Sequence, residues 1–180
     1  MKSLHGWIVL TATLLLTACN PNATREINLL TGATPGELAR THLTGAVLTE
    51  QGFNVSIEEA RLGQIWQRLW AGKADASVVV WLPEASAPFV ERFYDRLTDL
   101  GAKDAGLAQE RPLWPPNDKP HLVVRSALQE EAPDVMATLL DLQWQPDDLQ
   151  YIIDRHQQGK SWSLAAKDWL ANQRASEAPE

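Results

Sequence analysis

A tryptophan at the end of a strongly apolar segment is the residue best placed to bind a ligand. Residues 76–82 (ASVVVWL) are apolar or small throughout, which is typical of a central strand buried on both faces. Trp81 lies at the carboxyl end of this segment, and Pro83 turns the chain out of the sheet directly afterwards. An indole face there can bind a quaternary ammonium group by cation–π attraction. The position alone leaves two alternatives open, a ligand-binding wall and a packed core side chain.

A second candidate is the turn that follows the first predicted strand. The sequence TPGE has the pattern of a capping box, with Thr34 as the N-cap of a helix and Glu37 three residues later. Ligands of open parallel sheets bind beside the carboxyl ends of the strands. We therefore predict that Thr34, Trp81 and Pro83 contribute to ligand binding.

The elements that must position these residues alternate between strand and helix. Apolar runs predict strands near residues 27–30, 53–57, 76–82, 97–101 and 121–124. Amphipathic spacing and capping signals predict helices near 34–52, 63–71, 87–97, 126–131, 133–142, 146–158 and 163–172. This order predicts an α/β fold with three layers, a mostly parallel sheet and a helical C-terminal segment.

Catalytic, metal-binding and nucleic-acid-binding patterns are missing from the sequence. It contains no nucleophile elbow, phosphate loop or HExxH motif. Beyond the N-terminal segment, His42, His121 and His156 are far apart and fall on predicted apolar faces or a strand. The 16 Lys and Arg against 23 Asp and Glu give a net charge of −7, without a basic run for phosphates. We expect no enzyme activity, no metal or other cofactor, and no nucleic-acid partner.

Tryptophan is unusually frequent, with 8 residues against 3 Phe and 2 Tyr. Packing accounts for most of those beyond the N-terminal segment, because they lie on or next to predicted helices: Trp66, Trp70, Trp144, Trp162 and Trp169. Trp114 lies instead in a proline-rich segment without periodicity, where exposure is expected.

The N-terminal segment has the pattern of an export signal. Lys2 precedes an apolar run over residues 7–16, which is too short to span a bilayer comfortably. The run is followed by small residues and Cys19, the only cysteine, which resembles the lipidation site of bacterial lipoproteins. An ordinary signal peptide with a chance cysteine is the alternative.

The lipoprotein interpretation divides the chain into a signal peptide over residues 1–18 and a polar tether over 19–26. Lipidation of Cys19 would anchor the protein at the periplasmic face of a membrane. Asn20 follows the cysteine. An Asp at this position would resemble an inner-membrane retention signal, and its absence slightly favours the outer membrane.

Residues 72–83 (GKADASVVVWLP) resemble part of the OpuAC-like substrate-binding proteins, the receptors of ABC importers for glycine betaine, choline and proline betaine. Further similar segments follow in the same order: 48–53 (LTEQGF), 121–124 (HLVV) and 165–170 (AAKDWL). The resemblance implies a periplasmic-binding-protein-like fold and an ABC permease as partner. It also implies that Trp81 forms one wall of an aromatic cage around the ammonium group.

The sequence departs from this family where a second lobe should be inserted. Only a proline-rich segment, residues 107–120, stands there, and we call it the junction. We therefore predict a single lobe over residues 27–173 and a polar tail over 174–180. Other cage residues of many relatives lie in the missing lobe, so a quaternary amine should bind weakly. The surface that a second lobe would cover favours homodimerisation.

Two functions remain open from the sequence. The first is a lipid-anchored substrate-binding protein of a quaternary-amine import system. The second is a degenerate lobe that acts as a protein-interaction or accessory module and binds no solute. An open pocket at Trp81 favours the first, and a buried Trp81 favours the second.

Overall fold

A computed structural model describes residues 26–177. The strands are β1 (Glu26–Thr31), β2 (Asn54–Glu59), β3 (Ala76–Leu82), β4 (Leu97–Ala102) and β5 (Lys119–Arg125). The helices are α1 (Pro35–Glu50), α2 (Leu62–Trp70), α3 (Ala87–Phe93), α4 (Leu128–Glu131), α5 (Pro133–Asp141), α6 (Pro146–Gln157) and α7 (Trp162–Glu177). The predicted alternation of strands and helices is confirmed, with small shifts at the element ends.

The five strands form one sheet in the order β2-β1-β3-β5-β4. β1 pairs in parallel with β2 and with β3, whereas β5 runs antiparallel to both of its neighbours. Four strands therefore share one direction, as predicted for a mostly parallel sheet, and β5 alone opposes them. Because β1 lies between β2 and β3, the chain crosses from one side of β1 to the other, and this switch point lies beside the carboxyl ends of β1 and β3.

Helices cover the sheet as two outer layers. α1 contacts β1, β2 and β3, and α5, α6 and α7 pack against α1. α2 contacts α3, β3 and β5. Every residue of β3 is buried, which agrees with its prediction as the central strand. The α/β fold with a helical C-terminal segment is thus confirmed.

The start of α1 forms as predicted. Thr34 is the N-cap, its hydroxyl accepts the Glu37 N–H, and the Glu37 carboxylate accepts the Thr34 N–H in return. Leu38 and Val47 of this helix are only half-buried. α1 lies between the sheet and α5–α7, so it is buried on more sides than one amphipathic stripe provides, and Arg40 is fully buried.

The predicted domain boundaries fall partly outside the described residues. The signal peptide, Cys19 and most of the tether precede residue 26, and the last three residues follow 177. No helix within 26–177 is long and apolar enough to cross a bilayer. The junction contains one short 3₁₀ turn, Arg111–Leu113, before β5 begins.

Candidate ligand-binding site

Trp81 lies inside the lobe, with only 2% of its surface exposed. Its indole N–H donates to Oε1 of Glu37 over 3.2 Å. The other carboxylate oxygen, Oε2, accepts the Thr34 N–H over 3.0 Å, so Glu37 links the strand end to the start of α1. The sequence placed these three residues near one sheet edge, and the structure joins them through this one carboxylate.

Trp114 of the junction covers a face of the Trp81 ring. The ring centroids are 4.9 Å apart and the planes differ by 13°, so the two indoles are stacked in contact. A cation that binds this face of Trp81 must occupy the space between the two rings. This separation leaves no room for one, and an ammonium group can reach this face of Trp81 only after Trp114 moves.

Arg40 lies near Trp81, with its guanidinium carbon 5.9 Å from the ring centroid. Two carboxylates hold this guanidinium through paired hydrogen bonds. Asp104 accepts from Nε over 2.6 Å and from one terminal nitrogen over 2.7 Å. Glu110 accepts from both terminal nitrogens over 2.7 and 2.8 Å. One buried cation therefore joins α1 to the start of the junction.

The charge state of Arg40 is secured by its partners. Burial disfavours the charged guanidinium, but the hydrogen bonds that it donates to Asp104 and Glu110 outweigh burial and raise the pKa of Arg40 above its ordinary value. The same carboxylates also order the backbone, since Asp104 accepts the Gly106 N–H and Glu110 accepts the Leu107 N–H. The cluster therefore shapes the start of the junction as well as fixing it to α1.

The far end of the junction is attached to the loop after β3. The Asp118 carboxylate accepts the backbone N–H groups of Glu84 and Ala85 over 2.7 and 2.8 Å. Trp114 lies between this contact and the Arg40 cluster along the chain. The junction is thus held at both ends while its tryptophan covers Trp81.

Glu110 lies so close to the backbone of Gly36 that no side chain fits at that position. We therefore expect Gly36→Ala to destabilise the protein. A Cβ at residue 36 would lie 2.1 Å from Oε1 of Glu110, which Arg40 prevents from moving freely. The clash should cost about 1–3 kcal/mol of unfolding free energy, more than the gain of about 1 kcal/mol from better helix propensity. Urea unfolding checks this. Gly45→Ala in the same helix is the control, because its Cβ would lie 3.0 Å from the flexible end of Ile57 and 3.4 Å from Val55. Equal midpoints for the two variants would contradict the expectation.

Two cavities flank the aromatic pair. One of about 400 Å³ lies at the switch point and is lined by Gly32, Glu37 and Trp114, among others. The other, of about 460 Å³, is lined by Trp81, Trp114 and further residues of the junction, among them Arg111 and Asp118. Trp114 lines both cavities, and its buried indole N–H has no hydrogen-bond partner among the described residues. A movement of Trp114 would therefore open the covered face of Trp81 to these cavities.

A family model described as the substrate binding domain of the ABC-type glycine betaine transport system, OpuAC, matches residues 106–172. These residues contain the junction and continue into α7. The glycine betaine/carnitine transport binding protein GbuC of Listeria monocytogenes is 28% identical over 76 residues, which is 42% of this chain and 25% of GbuC. The match thus spans a quarter of that relative.

Solved structures of similar fold extend the comparison. Lactococcal OpuAC, complexed with glycine betaine in a closed conformation, aligns with a TM-score of 0.73 at 15% identity, over 84% of this chain and 97% of that chain. This chain is similar in fold to OpuAC, and over residues 106–172 it is similar in sequence to the OpuAC family model. A choline-binding ABC-transporter protein in complex with choline aligns with a TM-score of 0.72 at 11% identity, over 86% of this chain and 90% of that one.

The sequence match to OpuAC is confined to the C-terminal part of the chain. A second family model, the TilS substrate binding domain, matches residues 38–98, from α1 to the start of β4. The structural alignment with lactococcal OpuAC covers 84% of this chain, which is far more than residues 106–172. The N-terminal half therefore shares that fold as well. At these identities the structural similarity shows the fold alone.

The structure separates the three residues predicted to bind a ligand. Trp81 and Thr34 meet through Glu37, but Pro83 lines a different cavity, with Leu82 and Tyr94. Sequence reasoning missed the Arg40 cluster. The only signal for this cluster in the sequence was a basic residue, Arg40, on a helix that the sheet and other helices must enclose.

Proposed function

We propose that this chain is a lipid-anchored substrate-binding protein of an ABC import system for quaternary amines such as glycine betaine or choline. The observation that carries the proposal is the Trp81–Trp114 pair at the carboxyl end of β3. Trp81 is held by Glu37, and Trp114 comes from the junction, where relatives insert a second lobe. In this proposal the ammonium group displaces Trp114 and binds the uncovered face of Trp81.

The energetics of this exchange predict weak binding. An aromatic pair contributes about 0.5–1.5 kcal/mol beyond its buried area. A cation on an indole face contributes about 0.5–2 kcal/mol, so the exchange is nearly neutral. Micromolar affinity needs about 8 kcal/mol. We therefore expect dissociation constants no tighter than the millimolar range unless a permease or a second copy of the chain closes over the site.

The remaining parts of the proposal rest on the sequence and on the family. Export, lipidation of Cys19, attachment at the periplasmic face of a membrane and association with a permease are typical of such receptors. Homodimerisation would cover the surface that a second lobe covers elsewhere. The absence of catalytic motifs, together with relatives that are substrate-binding proteins, supports a function without catalysis.

One observation favours the second candidate function, an accessory or protein-interaction module that binds no solute. Trp81 is only 2% exposed, and the junction that covers it is held at both ends by Arg40 and Asp118. If this cover never opens, the aromatic pair is a core contact and the lobe serves its partners through its surface.

Titration of glycine betaine and choline against the chain lacking residues 1–19 distinguishes these functions. For the receptor, we expect saturable millimolar binding by calorimetry and up to about tenfold tighter binding in Trp114→Ala, because the competing stack is removed. Trp81→Phe should weaken binding, and Trp70→Phe, away from the pair, should leave it unchanged. Absence of saturation in both the wild type and Trp114→Ala would favour the accessory module.

A further inference from the structure

The opposite face of β3 carries a cavity that the proposed amine site does not use. Successive residues of a strand point to opposite faces of the sheet, so Leu82 points away from the side occupied by Trp81. The cavity has a volume of about 270 Å³, and Leu82, Pro83, Leu97 and Trp66 line it. It lies between strands β3, β5 and β4 and the layer formed by α2 and α3.

The walls of this cavity are apolar and aromatic. The Trp66 N–H already donates to Oγ of Ser86 over 3.1 Å, so Trp66 offers the cavity only its carbon atoms. Tyr94 also lines the cavity and is 69% exposed, which is high for a large aromatic side chain. A concave apolar wall beside an exposed aromatic ring is typical of a site for a small organic molecule.

The polar part of the lining is a histidine–carboxylate pair. Nδ1 of His121 lies 2.9 and 3.0 Å from the two carboxylate oxygens of Asp99. Asp99 also accepts the Gly101 N–H over 2.8 Å. Partial burial opposes ionisation of Asp99, but the hydrogen bonds from His121 and Gly101 outweigh it and lower the pKa of Asp99 below its ordinary value.

The Asp99 carboxylate lines the apolar cavity with 45% of its side chain exposed, and it selects the chemistry of a ligand. An anion would be repelled by Asp99, and a neutral hydrocarbon would gain no contact with its charge. A primary ammonium group has three donors for a carboxylate, whereas a quaternary ammonium has none. The apolar walls in turn suit a compact aliphatic body.

We propose that this cavity binds a small aliphatic primary amine, with the ammonium group on Asp99 and the aliphatic body between Trp66, Tyr94 and Leu97. The site is independent of the Trp81 site, because it lies on the other face of β3 and uses none of the same side chains. It extends the chemistry of the lobe to a second class of organic cation.

Saturation-transfer NMR on the full-length chain tests this site with cyclohexylmethylamine and its neutral counterpart cyclohexylmethanol. We expect saturable binding of the amine, about five- to tenfold tighter than that of the alcohol, as a charge-assisted hydrogen bond predicts. Asp99→Asn should abolish that preference. Leu97→Phe should fill the cavity and remove binding of both probes.

Two further variants keep the result interpretable. Asp95→Asn removes a nearby carboxylate that bonds Trp70 rather than lining this cavity, and it should leave the preference unchanged. Trp114→Ala should not affect amine binding here, even where it changes glycine betaine binding. Equal affinity for amine and alcohol, an unchanged preference in Asp99→Asn, or no saturable signal in a wild type with intact circular dichroism would overturn the proposal.

Discussion

Replacing Arg40 with methionine is expected to destabilise the protein by about 3–5 kcal/mol, because it leaves two carboxylates buried without their cation. The side chain of Arg40 is fully buried, and those of Asp104 and Glu110 are each only 2% exposed. The variant removes four hydrogen bonds and leaves two like charges facing each other. Urea unfolding followed by tryptophan fluorescence measures the loss of unfolding free energy.

Two variants separate this effect from the simple loss of a charge. Arg68→Met breaks a comparable paired contact with Glu58 at the surface, and it should change stability little, because solvent screens that pair. Arg40→Lys keeps a positive charge but cannot form the fork of four bonds, so its effect should be intermediate. Equal losses for Arg40→Met and Arg68→Met would show that the buried cluster contributes no special stability.

Replacing Trp81 with alanine is expected to cost about 3–5 kcal/mol of unfolding free energy, the usual range for truncating a buried aromatic residue. The variant leaves a cavity beneath Trp114 and removes the indole donor from Glu37. Urea unfolding monitored by circular dichroism measures the loss without relying on the deleted fluorophore.

Trp70→Ala is the matched control for this prediction. Trp70 is half-buried, packs on Phe93 and donates to Asp95 at the surface, so its truncation should cost clearly less than that of Trp81. If Trp81→Ala costs no more than Trp70→Ala, then the aromatic pair contributes little to the core. That result would favour a junction that opens readily, as the receptor function requires.

The two predictions are linked through the junction. Loss of the Arg40 cluster should release the start of the junction and free Trp114, while Asp118 still holds the other end. A partially destabilised chain such as Arg40→Lys is therefore expected to bind glycine betaine more tightly than the wild type if Trp81 is the amine site.

Local signals in the sequence determined the elements of this lobe. The capping box at Thr34 marked the start of α1, and the β-branched run before Trp81 marked β3, because both depend on neighbouring residues alone. Amphipathic spacing likewise predicted α6, whose buried residues are Leu149, Ile152 and Ile153. The α/β class followed from these elements.

Only the tertiary structure decided what surrounds the candidate site. Arg40, Asp104 and Glu110 lie up to 70 residues apart, and no local pattern reveals that one guanidinium will meet two carboxylates. Trp114 was expected at the surface, yet it is half-buried on Trp81. The sequence determined which residues end each strand, whereas the folding of the junction over the sheet edge decided whether Trp81 is open or covered. Long-range contacts depend on how distant segments of the chain pack together. No periodic pattern in the sequence reveals that packing.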